Sequence, residues 1–126
     1  ILQRTRLYKV GHHGSHNATL AEKGLKLMTH PELVAMLPTI ETVAARQGRS
    51  GWQMPDPDVK AALLARTGGR LLRGDRRFAD DPDTAPAHGD AGLADRLDDT
   101  HALYVEYRAY ERDGAPPIPW QNGDRT

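Results

Sequence analysis

The sequence contains no cysteine, so neither disulfides nor thiolate metal ligands can form. Any metal ion would have to be bound by histidine, carboxylate or water. Basic and acidic side chains balance at 17 each, so the net charge does not indicate a nucleic-acid or membrane partner, although a local basic patch is compatible with nucleic acid. No apolar run approaches the roughly 20 residues of a membrane span.

The chain of 126 residues also lacks an initial methionine and any apolar segment typical of a signal peptide. We therefore expect a cytoplasmic protein that starts as if cut from something longer. Apolar residues are modest in number and gathered in short segments, with Gly-, Pro- and Asp-rich stretches between them. This composition fits either a small, loop-rich α/β domain or part of a larger domain.

Short apolar segments alternate with helix signals over the first 75 residues. Thr19 and Glu22 have the spacing of a capping box, and Asp56-Pro57-Asp58 combines a cap, a first-turn proline and an acidic residue. The resulting order is βαβαβ, which predicts one sheet with helices on at least one face. In chain order, the predicted elements are a strand at 6–11, a helix at 20–28, a strand at 33–38, a helix from 56 to Gly68-Gly69, and a strand at 70–73. Residues 39–55 are predicted to be mostly an ordered loop, in which 41–47 could form a short helix.

The rest of the chain changes character. Residues 76–100 are rich in aspartate, glycine and proline, which predicts a surface excursion, and the sequence leaves open whether it is ordered. Alternating apolar residues from His101 to Tyr110 predict a final strand with one buried face, followed by an extended tail. We accordingly divide the chain into an α/β part at 1–75, an acidic excursion at 76–100, and a terminal strand and tail at 101–126.

The residues with the clearest chemistry stand at the end of the first predicted strand. His12 and His13 lie between Gly11 and Gly14, two glycines that let the backbone turn tightly beside a ligand. Neighbouring histidines point in different directions, so we expect one to bind a metal and the other to orient a water, a phosphate or the first histidine. Two adjacent histidines alone are equally compatible with a polar turn.

The whole segment Lys9–Ser15, KVGHHGS, resembles the K-V-x-H-H-G-S segment of metallo-β-lactamase-fold hydrolases, especially the ComEC-like branch. The resemblance extends more loosely to about Asp75. It implies the C-terminal half of a metallo-β-lactamase-like αββα sandwich, with a βαβαβ order plus a final strand. It further implies that His12 and His13 belong to a metal site for one or two Zn²⁺ ions, or another divalent metal. As candidate catalytic residues we take His13, Ser15, which can form hydrogen bonds beside the histidines, and Asp75, which follows a predicted strand.

The function that the resemblance implies is metal-assisted hydrolysis, in which zinc lowers the pKa of bound water to ~7 and polarises the scissile group. The family's His-x-His-x-Asp-His motif and the "G-D" segment that normally precedes its histidine loop are both missing upstream of that loop in this sequence. Met54-Pro55-Asp56-Pro57 stands where the ComEC-like branch often has His-Pro-His-Pro. The implied partners are therefore the N-terminal half of the same domain and a small-molecule or phosphodiester substrate, and we expect the isolated chain to be inactive. The alternatives are a non-catalytic binding or scaffold module that has lost its metal, and an independent α/β interaction domain.

Several other residues allow two interpretations. Asp75 either lines the site, as residues at strand ends often do, or is a turn aspartate. Trp52 either covers the site or packs on the neighbouring helix, and packing is favoured. His30 is expected to be structural and His88 to be solvated. A loose basic cluster suits either a phosphate-bearing substrate or a solvated face neutralised by nearby aspartates; it consists of Arg66, Arg70, Arg73, Arg76 and Arg77.

Overall fold

The computed structural model describes residues 1–11, 14, 24–100 and 105–108, and within these ranges the chain forms a mixed α/β fold around a small parallel sheet. Short 3-10 turns at Leu2–Arg4, Leu25–Leu27, Phe78–Asp80 and Pro82–Ala87 supplement the regular elements. In chain order, these elements are β1 (Leu7–Lys9), β2 (Val34–Leu37), α1 (Glu41–Ala44), α2 (Pro57–Thr67), β3 (Leu71–Arg73), α3 (Ala91–Ala94), β4 (Leu97–Asp98) and β5 (Glu106–Tyr107).

The sheet has the order β1-β2-β3, with both strand pairs parallel. Strand β2 is central, and its side chains alternate between two apolar clusters because successive residues of a strand face opposite sides. Ala35 and Leu37 join the first cluster, whereas Val34 and Met36 contact the second. The continuous apolar run at 33–38 thus forms a strand buried on both faces, as predicted.

Helix α2 covers the first face of the sheet through Val59 and Leu63, which lie four residues apart on one side of the helix. Its start follows the predicted signals, because the Asp56 carboxylate accepts hydrogen bonds from the N–H groups of Asp58 and Val59 at 3.0 and 3.1 Å. It ends at Gly68, whose φ of 61° is the left-handed conformation common at helix C-termini. The chain therefore returns directly into β3.

The second face is covered by the segment after β3, which differs from the surface excursion expected for 76–100. Ala87 and Leu93 are buried there against Val34 and Leu72. Short turns rich in proline and aspartate position these few apolar side chains, and Asp90 caps α3 by accepting from the Leu93 N–H. Low apolar content therefore did not prevent the segment from packing, because a small sheet needs few side chains to cover one face.

Two further predictions were only partly right. A helix was predicted at 20–28, and its residues 20–23 lie outside the described ranges. The described residues of that segment form one 3-10 turn at Leu25–Leu27, preceded by Gly24. The final strand is seen as β5, which pairs antiparallel with β4 in a separate two-stranded ladder and does not extend the parallel sheet. Within the described ranges, we find no helix with the length and apolar character needed to cross a membrane.

Candidate functional site at the carboxyl edge of the sheet

The carboxyl ends of β1, β2 and β3 lie at one edge of the sheet because the three strands are parallel. In open α/β sheets, ligands bind at this edge. The corner that follows β1 is anchored by backbone hydrogen bonds: the Gly14 N–H donates to the Gly11 carbonyl at 3.0 Å, and the Gly14 carbonyl accepts from the Asp56 N–H at 2.9 Å. The two glycines that flank the histidine pair are thereby fixed between the sheet and the start of α2.

Gly14 is buried and has a φ of 75°. A Cβ atom built on it would lie 2.7 Å from Leu37 Cδ1 and 3.2 Å from Pro55 Cβ. Its backbone conformation and this close approach both require a residue without a side chain. The glycine of the H-H-G-S segment therefore has a packing role of its own.

Three of the predicted site residues, His12, His13 and Ser15, lie outside the described residues, so their roles remain predictions. Within the described ranges, no group of three or more histidine, aspartate or glutamate side chains is arranged to hold a metal ion. This part of the chain does not by itself form the three-ligand set that a catalytic zinc site needs.

Asp75, the fourth predicted site residue, follows β3 and is held in an ion pair with Arg73. Arg73 Nε donates to Asp75 Oδ1 at 2.9 Å, and Arg73 Nη2 donates to Asp75 Oδ2 at 2.8 Å. Oδ2 also accepts from the Glu41 N–H at 3.1 Å, so Asp75 fixes the first residue of α1 beside the end of β3. Both carboxylate oxygens are thus engaged, which is the arrangement expected of a structural aspartate.

The partner of Asp75 is itself deeply buried. The Arg73 side chain is 1 % exposed, and its Nη2 also donates to Glu41 Oε1 at 2.6 Å. Its Nη1 is buried without a hydrogen-bond partner. Burial alone would lower the pKa of Arg73, but its hydrogen bonds and charge interactions with Asp75 and Glu41 outweigh burial and raise it. A charged guanidinium is therefore locked between β3 and α1.

The pKa of Asp75 is lowered: burial acts to raise it, and the hydrogen bonds from Arg73 and the Glu41 N–H, with the charges of Arg73 and Arg76, outweigh that effect. A carboxylate with a lowered folded-state pKa stabilises the fold above its unfolded pKa, and the contribution is lost as the pH falls through the folded-state value. We expect Asp75→Asn to be less stable than the unmodified chain at pH 7 and the difference to shrink below about pH 4. Urea unfolding across this range measures it. If the same pH dependence persists in an Arg73→Met background, the ion pair is not its cause.

The basic cluster predicted around β3 is neutralised within the described part of the chain. Arg70 lies 3.7 Å from an Asp90 oxygen, and Arg77 lies 3.7 Å from an Asp99 oxygen. Arg76 approaches Glu41 at 3.4 Å, while Arg66 donates to the Lys26 carbonyl at 2.8 Å. These contacts favour a charge-balanced cluster over a phosphate-binding surface, although Arg73 is buried and not solvated.

The two described histidines have structural contacts. His30 Nδ1 accepts from the Glu32 N–H at 3.1 Å, as expected of a structural residue in a turn. His88, predicted to be solvated, is exposed, yet its Nε2 lies 2.8 Å from Thr84 Oγ1 and 3.0 Å from the Phe78 carbonyl oxygen. His30 precedes β2, so it lies on the amino side of that strand and not at the carboxyl edge.

A feature that the sequence interpretation missed is an apolar cleft of ≈ 320 Å³ beside the end of β2. The sequence feature that could have indicated it is a group of three large apolar residues outside the predicted strands: Ile40, Val43 and Trp52. Each is about half exposed. We call this cleft the tryptophan cleft and define it by Thr39, Ile40, Val43, Gln47, Trp52 and Met54.

Comparisons with protein-family models, curated proteins and solved structures find no match for this chain. Functional inference therefore depends on the KVGHHGS segment and on the geometry of the sheet edge.

Proposed function

We propose that this chain is the C-terminal part of a metal-dependent hydrolase of the metallo-β-lactamase fold, in which His12 or His13 is a metal ligand. The observation that supports the proposal is the position of Gly11 and Gly14, the neighbours of the histidine pair in the sequence, which are joined by a hydrogen bond just after a strand of a parallel sheet. This is the edge at which α/β sheets place their ligands. A zinc ion bound there would polarise the scissile group and activate water.

In this proposal, the described residues support the site and do not complete it. The Gly11–Gly14 hydrogen bond and the contact of Gly14 with Asp56 hold both ends of the histidine pair. The remaining ligands would come from the N-terminal half of the domain. The isolated chain is consequently a weak metal binder with no activity, and the substrate is a small molecule or a phosphodiester.

Two experiments test the metal-ligand proposal. Zinc titration of residues 1–126 against a chelator is expected to show no tight, stoichiometric binding. In a longer polypeptide that carries the N-terminal half, His12→Ala or His13→Ala is expected to lose bound metal, measured by elemental analysis. His30→Ala is the matched control, because His30 is held in a turn and should leave the metal content unchanged. Unchanged metal content in both the His12 and His13 variants would refute the ligand role.

A non-catalytic binding or scaffold module is the second candidate. It is favoured by Asp75, whose two carboxylate oxygens are both engaged by Arg73 and so do not present a free ligand. For this candidate, the longer polypeptide would fold normally and hold no metal, and the histidine substitutions would change neither property. The same elemental analysis therefore separates the two functions.

A further inference from the structure

We propose that the tryptophan cleft binds a neutral, apolar group of a small-molecule ligand, either an aromatic ring system or a short alkyl chain. As a statement about substrate, this inference rests on the proposed function. As a statement about binding, it depends only on the described residues. Three observations support the proposal: the residues that line the cleft, the way the Trp52 wall is held, and the position of the cleft at the sheet edge.

The lining determines the chemistry of the ligand. None of the described residues that line the cleft is charged, and its polar side chains are limited to Thr39 and Gln47. Ligand sites are typically apolar, with a few polar groups that fix orientation, and have volumes of roughly 300–1,000 Å³. At ≈ 320 Å³, the cleft is at the lower end of this range. A charged group would lose its hydration there without gaining a partner of opposite charge.

The wall that carries Trp52 is rigidly built although the side chain is 51 % exposed. The backbone N–H of Trp52 donates to the Ala44 carbonyl at 3.0 Å, which ties the Trp52 backbone to the end of α1. Gly48 has a φ of 69°, and a Cβ atom on it would lie 2.6 Å from Trp52 Nε1. Gly51 has a φ of 78°, and a Cβ atom on it would lie 2.6 Å from the Ala45 carbonyl oxygen. An exposed aromatic ring held in place in this way is pre-organised for contact with a ligand.

The position connects the cleft with the histidine corner. Thr39 and Ile40 follow β2, the strand next to β1, so the cleft opens at the same carboxyl edge. Met54 lines the cleft, and the next two residues contact Gly14: Pro55 packs beside it, and the Asp56 N–H donates to its carbonyl. A substrate with an apolar group in the cleft would therefore have its polar part directed towards the corner between Gly11 and Gly14.

The exposed surface favours a small ligand over a protein partner. Ile40, Val43 and Trp52 are half-exposed side chains around a concavity. Three side chains are far fewer than the roughly 20–30 residues on each side of a standard protein interface. A second copy of the chain remains an outcome that the experiment can detect.

The test uses the fluorescent, uncharged probe N-phenyl-1-naphthylamine with residues 1–126 in the presence of EDTA. We expect saturable binding of the probe. Val43→Glu is expected to weaken it by about tenfold or more, because the substitution places a carboxylate in the apolar lining. Leu27→Glu is the matched control, since Leu27 is similarly exposed at 47 % and does not line the cleft. Its affinity should stay within about twofold of the unmodified chain.

The proposal is overturned if the probe does not bind, or if the two variants lose affinity equally. It is also overturned if sedimentation shows that probe fluorescence follows a self-association that Val43→Glu removes. Circular dichroism of both variants establishes that they are folded. Because EDTA excludes zinc, probe binding is measured independently of any metal site. Failure of the metal proposal and failure of the cleft proposal are thereby observed in separate measurements.

Discussion

Replacing Arg73 with methionine is expected to lower the free energy of unfolding by about 3 kcal/mol, because removing one partner of a buried ion pair leaves an uncompensated charge. Asp75 has a side chain that is only 10 % exposed and receives two hydrogen bonds from Arg73. Methionine preserves much of the side-chain volume, so cavity formation contributes little to the expected loss. Urea denaturation at pH 7 measures the change.

The matched control is Arg76→Ala. Arg76 is 37 % exposed and approaches Glu41 and Asp75 at the longer distances of 3.4 and 3.8 Å. Exposed ion pairs of this kind contribute about 1 kcal/mol or less.

The double variant Arg73→Met, Asp75→Asn leaves no buried charge without its partner. Its loss in free energy of unfolding should therefore be smaller than the sum of the losses of the two single variants. An Arg73→Met variant as stable as Arg76→Ala would mean that the ion pair does not hold β3 to α1.

The sequence predicted the elements whose signals are local. Helix α2 was recognisable from Asp56, Pro57 and the glycines at 68–69 because capping and termination depend on neighbouring residues. Strands β2 and β3 were recognisable from short apolar runs between turn residues. These are the features that determine the parallel sheet and its carboxyl edge.

The parts that could not be predicted depend on contacts between distant residues. Nothing local in Arg73 or Asp75 distinguishes a buried ion pair from a charged strand end; the difference arises because Glu41, 32 residues from Arg73, lies beside them. The packing of Ala87 and Leu93 on β2 and β3 likewise depends on the small size of the sheet, which composition does not reveal. The tryptophan cleft is different, because its residues are close in sequence: Thr39 and Ile40 follow β2, and the backbone N–H of Trp52 donates to the Ala44 carbonyl.

Replacing Gly14 with alanine is expected to destabilise the fold by on the order of 3 kcal/mol, through a strained positive φ and through overpacking, each of which costs about 1–3 kcal/mol. The φ of Gly14 is 75°, and the added Cβ would meet Leu37 Cδ1 at 2.7 Å. Leu37 is 1 % exposed at the end of β2 and has little room to move. Thermal or urea unfolding of residues 1–126 measures the effect.

Gly11 provides the matched control within the same segment, because no described atom lies within 4 Å of a Cβ built on it. Gly11→Ala should change the free energy of unfolding by about 0.5 kcal/mol or less. A Leu37→Val background lacks the clashing Cδ atom, so it separates backbone strain from overpacking. The loss in free energy of unfolding that Gly14→Ala still causes in this background measures the backbone strain. If Gly14→Ala proved as mild as Gly11→Ala, the corner would not be held between Leu37 and Pro55. The histidine pair would then lose the rigid anchor on which the proposed metal site depends.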